Sequence, residues 1–280
     1  MKNTMKKPVA IPVEKLRPFA GHPFKVKDDE EMNTLIESVQ TQGILSPLIV
    51  RPIENTDEYE VISGHRRLHA AQKAGISEVP ALIYVLDRDA AAIAVVDSNL
   101  HREHILPSEK AFAYKMKYEA MKHQGTSCQL GTKLRTDEQI AEKANDSARQ
   151  IQRYIRLTHL IPELLEFMDE NRMALSVGVE LSFLDEQSQR EVWEQCGIND
   201  CTPSYAQAVR MRKAFSNSAL TADMIRSIMS EEKANQKARL KIPMERIRKY
   251  FPQNYTAAQI EDAIVKLCQR DYRRRTDRER

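Results

Sequence analysis

The chain has 280 residues, 41% of them hydrophobic and 30% charged, with a formal net charge of +3. That apolar content supports a packed core and excludes wholesale disorder, and the length suggests about two domains. No apolar run nears the roughly 18 residues of a membrane span, the longest being Ala90–Val96 between Asp89 and Asp97. The lysine-bearing Met1–Ala10 lacks the apolar stretch of a secretory signal. Four cysteines without C-x2-C spacing exclude a disulfide scaffold and a zinc ribbon, and read as reduced cytosolic thiols.

The first third alternates strand and helix signals. Ala10–Val13 is a short apolar run. Met32, Leu35, Ile36 and Val39 recur at helical spacing within Asp28–Gln40, and Gly43 supplies a stop. Leu48–Arg51 and Tyr59–Ile62 read as paired strands across a turn. A helix follows over His65–Lys73, a strand over Ala81–Leu86, and helices over Asp89–Leu100 and from Pro107 to about His123. Gln124–Lys133 has the composition of a linker. Beyond it strand signals vanish, and Thr136–Ala144, Ser147–His159, Pro162–Glu170 and Gln187–Gln195 read as helices. Trp193, beside Val192, is expected in the core. After loose stretches at Cys201–Ser204 and Ser216–Ser218, a short strand is expected over Ala238–Ile242 and a helix over Thr256–Tyr272.

Two stretches carry anion chemistry. In Ser63-Gly64-His65-Arg66-Arg67 a strand turns into a helix through glycine, which lets backbone N–H groups approach a ligand at a helix N-terminus. The paired arginines add forked donors suited to phosphate. In Ser98-Asn99-Leu100-His101-Arg102, Asn99 and Arg102 share a helix face. Arg102 suits a phosphate, and the Asn99 amide oxygen suits a hard cation. His101 and His104 lack a third ligand at suitable spacing, so no zinc site is expected.

The second block carries a DNA-reading pattern. Thr136 is expected to cap one short helix. After Asn145-Asp146, Ser147 is expected to cap another over Ala148–Leu157. Helix, short turn, helix is a major-groove motif. At about 100° per residue, Arg149, Arg153 and Arg156 fall on one face, with Ile151 and Ile155 opposite. Gln152 flanks the basic face, as a residue suited to adenine edges. Ser147, Arg149, Gln152, Arg153 and Arg156 are therefore the candidate DNA-binding residues. The tail Arg270–Arg280 has six Arg against three acids, which suits a nucleic-acid arm or a solvated helix end equally well.

These pieces, in this order, resemble the ParB/Noc family of bacterial partition proteins. The matching residues are Ile11–Pro18, Leu35–Val39 with Gly43–Arg51, Ser63–Ala71 and Ser98–Arg102, covering about Val9–Gly125 closely and the next block more loosely. The resemblance implies an α+β protein with three parts. A small mixed α/β nucleotide-binding-type domain occupies residues 1–125. An all-helical DNA-binding domain follows at 126–215, with its helix-turn-helix at 136–157. A small basic segment at 219–280 is suited to dimerisation. The resemblance also implies CTP with magnesium bound by Gly64, Arg66, Arg67, Asn99 and Arg102, with Asn99 toward the metal. The implied function is partition or nucleoid association as a DNA clamp, cytoplasmic and nucleoid-associated, with double-stranded DNA and a second copy as partners.

Three departures qualify this. The family's Gly-Glu-Arg-Arg reads Gly64-His65-Arg66-Arg67, its Glu-Asn-x-x-Arg reads Ser98-Asn99-Leu100-His101-Arg102, and its Gln-Pro-Arg reads His22-Pro23-Phe24. The arginines survive while acids do not, so anion binding is expected to outlast hydrolysis, leaving at most a weak CTPase. No paired carboxylates suggest a nuclease. Met1–Val9 carries no recognisable activating peptide, so a ParA-type ATPase partner is not expected. The alternative function is a transcriptional or replication regulator of a mobile element with a vestigial nucleotide pocket.

Overall fold

The computed structural model describes residues 7–102, 104–125, 135–142, 144, 146–231, 244–252 and 254–276. They fall into two compact units, Met1–Glu231 and Glu232–Arg280.

The first unit opens with a five-stranded mixed sheet. Its strands are β1 (Val9–Pro12), β2 (Leu16–Pro18), β3 (Leu48–Pro52), β4 (Tyr59–Ser63) and β5 (Glu78–Ile83), in the spatial order β1-β5-β3-β4-β2. β3 pairs antiparallel with β4 and parallel with β5; β1 pairs antiparallel with β5, and β2 parallel with β4. Side chains alternate across the sheet. Val61 joins Met32, Val39, Leu48 and Leu68 under α1 (Glu30–Gln42) and α2 (His65–Lys73), whereas Ile62 joins Phe19, Ala91 and Val95 under α3 (Arg88–Asn99). Helix α1 starts two residues later than its apolar spacing suggests, because Asp29 caps it by accepting from Met32 N–H at 2.8 Å. The edge strands β1 and β2 are short, and their pairing is long-range, so no local alternation marks them. β5 begins three residues before the apolar run expected at Ala81, through Glu78-Val79-Pro80.

Inside the sheet, Glu60 is buried and fully engaged. It accepts from Arg51 Nε at 2.7 Å and from the Ala20 N–H at 2.9 Å.

Helix α4 (Pro107–Gly125) packs on α3 and also against the first three of the helices that follow. The following helices are α5 (Thr136–Ala141), α6 (Ala148–Leu157), α7 (Pro162–Asp169), α8 (Leu175–Leu181), α9 (Glu186–Ile198), α10 (Tyr205–Ser216) and α11 (Ala222–Ser230). Their common core holds Leu157, Leu164, Leu181, Val192, Met211 and Ile228. Helices α8, α10 and α11 are absent from the sequence reading, being short and stabilised by this shared core rather than by their own periodicity. Ser216–Ser218 is thus part of a turn inside the unit. Trp193 departs from expectation: Val192 is fully buried, but Trp193, one step around the helix, is 38% exposed.

In the second unit, α12 (Met244–Arg248) and α13 (Ala257–Thr276) are described. Helix α13 is opened by a reciprocal cap, in which Thr256 N–H donates to Gln259 Oε1 and Gln259 N–H to Thr256 Oγ1. Ile260 is buried, while Val265 and Leu267 are exposed. The strand expected at Ala238–Ile242, the linker from residue 126 and the last four residues lie outside the described residues.

Candidate nucleotide and DNA sites

Strand β4 delivers the chain to Gly64, which adopts φ 106°, ψ 24° and caps α2 without any side-chain hydrogen bond. A Cβ there would lie 3.1 Å from both Arg67 Nη2 and Leu48 Cγ, so only glycine fits. The first turn of α2 holds no acid, leaving its N–H groups to face an anion.

All five nucleotide candidates, Gly64, Arg66, Arg67, Asn99 and Arg102, line one cavity of about 220 Å³ together with His22, Lys25 and His65. A second cavity of about 430 Å³ adjoins it, sharing Lys25, Arg66 and Arg102 and adding Lys27 and His104. Cavities of this combined scale are what a drug-sized ligand needs.

The three arginines have different occupations. Arg67 Nη1 donates to the Ser46 and Pro47 carbonyls, the latter at 2.9 Å, so this guanidinium latches the backbone entering β3. Burial pushes it below its ordinary range. Arg66 Nη2 reaches Asp29 Oδ1 at 3.4 Å and Glu31 Oε2 at 3.3 Å. Arg102 has no carboxylate partner among the described residues and is exposed to the cavity. Asn99 Nδ2 donates to Val95 O at 2.8 Å and Ser98 Oγ at 3.1 Å, which leaves Oδ1 as its outward atom.

The departures from the family motifs meet at one point. The His22 ring stacks on that of His65 with 3.7 Å between centroids. Phe19 N–H donates to His65 Nε2 at 3.3 Å, and His22 Nδ1 donates to Phe24 O at 2.8 Å. Burial, and then His22, push His65 down to about 3. Burial first, and Arg102 after it, also push His22 down. His65 is therefore neutral at physiological pH and carries no charge that would repel a cation. Asp97, the acid nearest Ser98, is paired with Lys117, whose side chain is 2% exposed. It is committed to the α3–α4 interface.

The helix pair α5–α6 forms as the sequence suggests, with differences in the roles of individual residues. The residue preceding α5 is Arg135, whose N–H is met by Glu138 Oε2 at 2.9 Å, so Thr136 is the first helical residue rather than the cap. Ser147 does cap α6, accepting from Gln150 N–H at 3.3 Å. Its hydroxyl oxygen thus serves the helix N-terminus. Ile151 is buried with Ile140 and Tyr114. Asp146, in the turn, accepts from Tyr114 OH and pairs with Lys110, both at 2.5 Å, which fixes α6 against α4. Burial and Asp146 together push the Tyr114 hydroxyl up. Gln152 Nε2 donates to Asp137 Oδ2 at 3.2 Å, tying α6 to α5 instead of standing free for a base. Arg153 Nη1 donates to Gln150 Oε1 at 3.2 Å. Arg149 is exposed, with no partner among the described residues. Arg156 is held against Ser182 and Phe183. The expected common face exists, but its three arginines are not equally free.

Sequence reasoning passed over Lys27 and the roles of Asp29 and Glu31, which the loop before α1 and the first turn of α1 bring in, and it weighed His104 only as a zinc ligand. Among the described residues no cluster of His, Cys, Asp and Glu forms a metal site, and no helix is long and apolar enough to cross a membrane.

The ParB N-terminal domain family matches residues 1–100. A chromosome-partitioning protein Spo0J of Thermus thermophilus is 32% identical over 206 residues, 73% of this chain and 70% of that protein. A nucleoid occlusion protein of a Geobacillus species is 41% identical over 105 residues, 37% of each chain. Among solved structures, the C-terminally truncated ParB of Caulobacter crescentus complexed with CTP-gamma-S is 25% identical and covers 67% of this chain and 97% of that one. Its TM-score of 0.32 is too low to transfer the position of any residue.

Proposed function

The chain belongs to the ParB/Noc family of partition proteins, and from that premise we propose that it binds a specific duplex site through α6 and holds CTP beside the N-terminus of α2. The observation that carries the DNA-binding reading is α6 itself. Its cap, its buried Ile151 and its anchoring through Asp146 present Arg149 and Arg153 outward on a rigid support. Arginine at such a position suits guanine edges.

The nucleotide reading rests on the convergence of Gly64, Arg66 and Arg102, with Lys25 and Lys27, on two adjoining cavities. Arg102 and the α2 N-terminus would face phosphates, Arg66 would exchange carboxylates for them, and Arg67 would hold the loop that frames them. CTP is the nucleotide the family resemblance implies. Magnesium fits less well. Asn99 Oδ1 is a neutral oxygen donor there, Asp97 is on Lys117, and Asp29 and Glu31 are on Arg66 until it turns to a phosphate. With Arg66 on Asp29 and Glu31, these residues do not build a protein-held magnesium site.

Self-association through the second unit would cover the exposed Val265 and Leu267 of α13, and a nucleoid-associated location follows from DNA binding. Immunoprecipitation of bound DNA followed by sequencing tests the whole. A specific site with kilobases of flanking enrichment supports a clamp. A narrow peak supports the alternative, a regulator of a mobile element. Absence of any enriched site overturns DNA reading by α6.

A further inference from the structure

The two adjoining cavities share Lys25, Arg66 and Arg102 but differ in their acids. The inner one, of about 220 Å³, opens beside Gly64 at the N-terminus of α2. Its described lining residues include four cations, Lys25, Arg66, Arg67 and Arg102, and no carboxylate. The outer one, of about 430 Å³, adds Lys27 and three acids. Those acids have other work. Glu109 accepts the Lys25 N–H at 2.8 Å on one oxygen and the Leu106 N–H at 3.2 Å on the other, which holds the segment before α1 against the start of α4. Asp29 caps α1 through Oδ1, and Glu31, on the first turn of that helix, is 84% exposed.

Magnesium in a nucleotide site neutralises phosphate oxygens, and a protein holds it by one or two carboxylates. Around the inner cavity the chain itself supplies that neutralisation, through three guanidinium groups, an ammonium group and the N–H groups that open α2. A divalent ion entering there would meet the repulsion of all four cations with no described acid to offset it. When Arg66 turns from Asp29 and Glu31 to a phosphate, the acids it leaves line only the outer cavity, which Lys25 and Lys27 also line. Lys25 is loosely held. Its Nζ stands 3.7 Å from Asp169 Oδ2, beyond hydrogen-bond length, and its side chain is 63% exposed. Asp169 keeps the Ser108 N–H and hydroxyl as donors once Lys25 turns inward. Lys27 is exposed at the outer cavity.

We propose that this chain binds its nucleotide without magnesium, with Lys25, Lys27 and Arg102 doing for the phosphates what the metal would do. The inference rests on the nucleotide reading above and deepens it. The ligand is the free, fully charged nucleotide rather than its magnesium complex, and Lys25 and Lys27 become binding residues.

Titration calorimetry of CTP into the full chain, in excess EDTA and in excess magnesium, tests this. EDTA leaves CTP its full negative charge, so binding at least as tight as in magnesium is expected. Lys25→Ala and Lys27→Ala each remove a cation. Each is expected to weaken CTP about tenfold in EDTA, and less in magnesium, where the ligand carries less charge. Ser98→Glu puts an acid at an exposed position that lines the inner cavity. It is expected to weaken CTP about tenfold in EDTA and to make magnesium restore the loss. Circular dichroism checks that each variant is folded. Wild-type binding that is weaker in EDTA than in magnesium overturns the metal-independent site and leaves the nucleotide reading standing. Lysine variants that both bind like the wild type in EDTA, or a folded Ser98→Glu chain with unchanged affinity there, overturn it as well. No CTP binding in either condition overturns the nucleotide reading, and this inference with it.

Discussion

The imidazole rings of His22 and His65 stack 3.7 Å apart and 33° from parallel, although they are 43 positions apart in the chain. Each stands where the family motif has another side chain, so two departures that look independent along the chain are one structural substitution. The pair closes the wall of the candidate nucleotide cavity beside Gly64 with two imidazole rings where the family motif has a carboxylate.

That burial has a consequence for stability. His65 titrates near 6.5 when unfolded but near 3 in the fold. Between those values the unfolded chain holds a proton that the folded one does not. The contribution is full above pH 6.5 and lost as pH falls toward 3, by about 1.4 kcal/mol per pH unit for this group. Urea unfolding between pH 6.5 and 5 is expected to show a steeper loss in the wild type than in His65→Gln. Parallel curves would mean that His65 is not buried as a neutral ring.

Arg102 and Arg67 are expected to separate binding from stability. Arg102→Ala, which breaks no described ion pair, is expected to abolish CTP binding in calorimetry while leaving the melting temperature unchanged. Arg67→Ala leaves the Ser46 and Pro47 carbonyls without their donor and is expected to cost about 1–3 kcal/mol. A stable Arg67→Ala protein that has lost CTP would reverse the two roles.

Gly64→Ala forces a side chain into the left-handed region, at about 1–2 kcal/mol, and pushes its Cβ against Arg67 and the buried Leu48. Both stability and CTP affinity are expected to fall together, as read by thermal denaturation with and without nucleotide. A variant that melts with the wild type would show that this backbone conformation is not required.

Asp97→Asn is expected to act on the α3–α4 interface rather than on nucleotide chemistry. It leaves the Lys117 ammonium buried without its counter-ion, at a cost of about 1–3 kcal/mol. CTP turnover, followed by phosphate release with DNA present, is expected to be slow in the wild type and no slower in the variant. A fast wild type silenced by Asp97→Asn would make Asp97 the missing acid.

Some of this protein was determined by sequence order alone. Helix α2 begins and ends where Gly64 and its apolar spacing put it, and the basic and apolar faces of α6 follow from helical periodicity, which is a local property of about ten residues. The convergence of Gly64, Asn99 and Arg102 was also legible, because their motifs stand in a recognisable order. What only the tertiary structure decided was which of these side chains is free. Periodicity places a residue on a face but does not say what packs over that face. Arg156 meets Ser182 and Phe183, Gln152 meets Asp137, Arg67 meets the carbonyls before β3, and Asp97 meets Lys117. Each partner lies between 15 and 27 positions away in the chain. Such contacts form only when separate elements are packed together, and no spacing within one element encodes them.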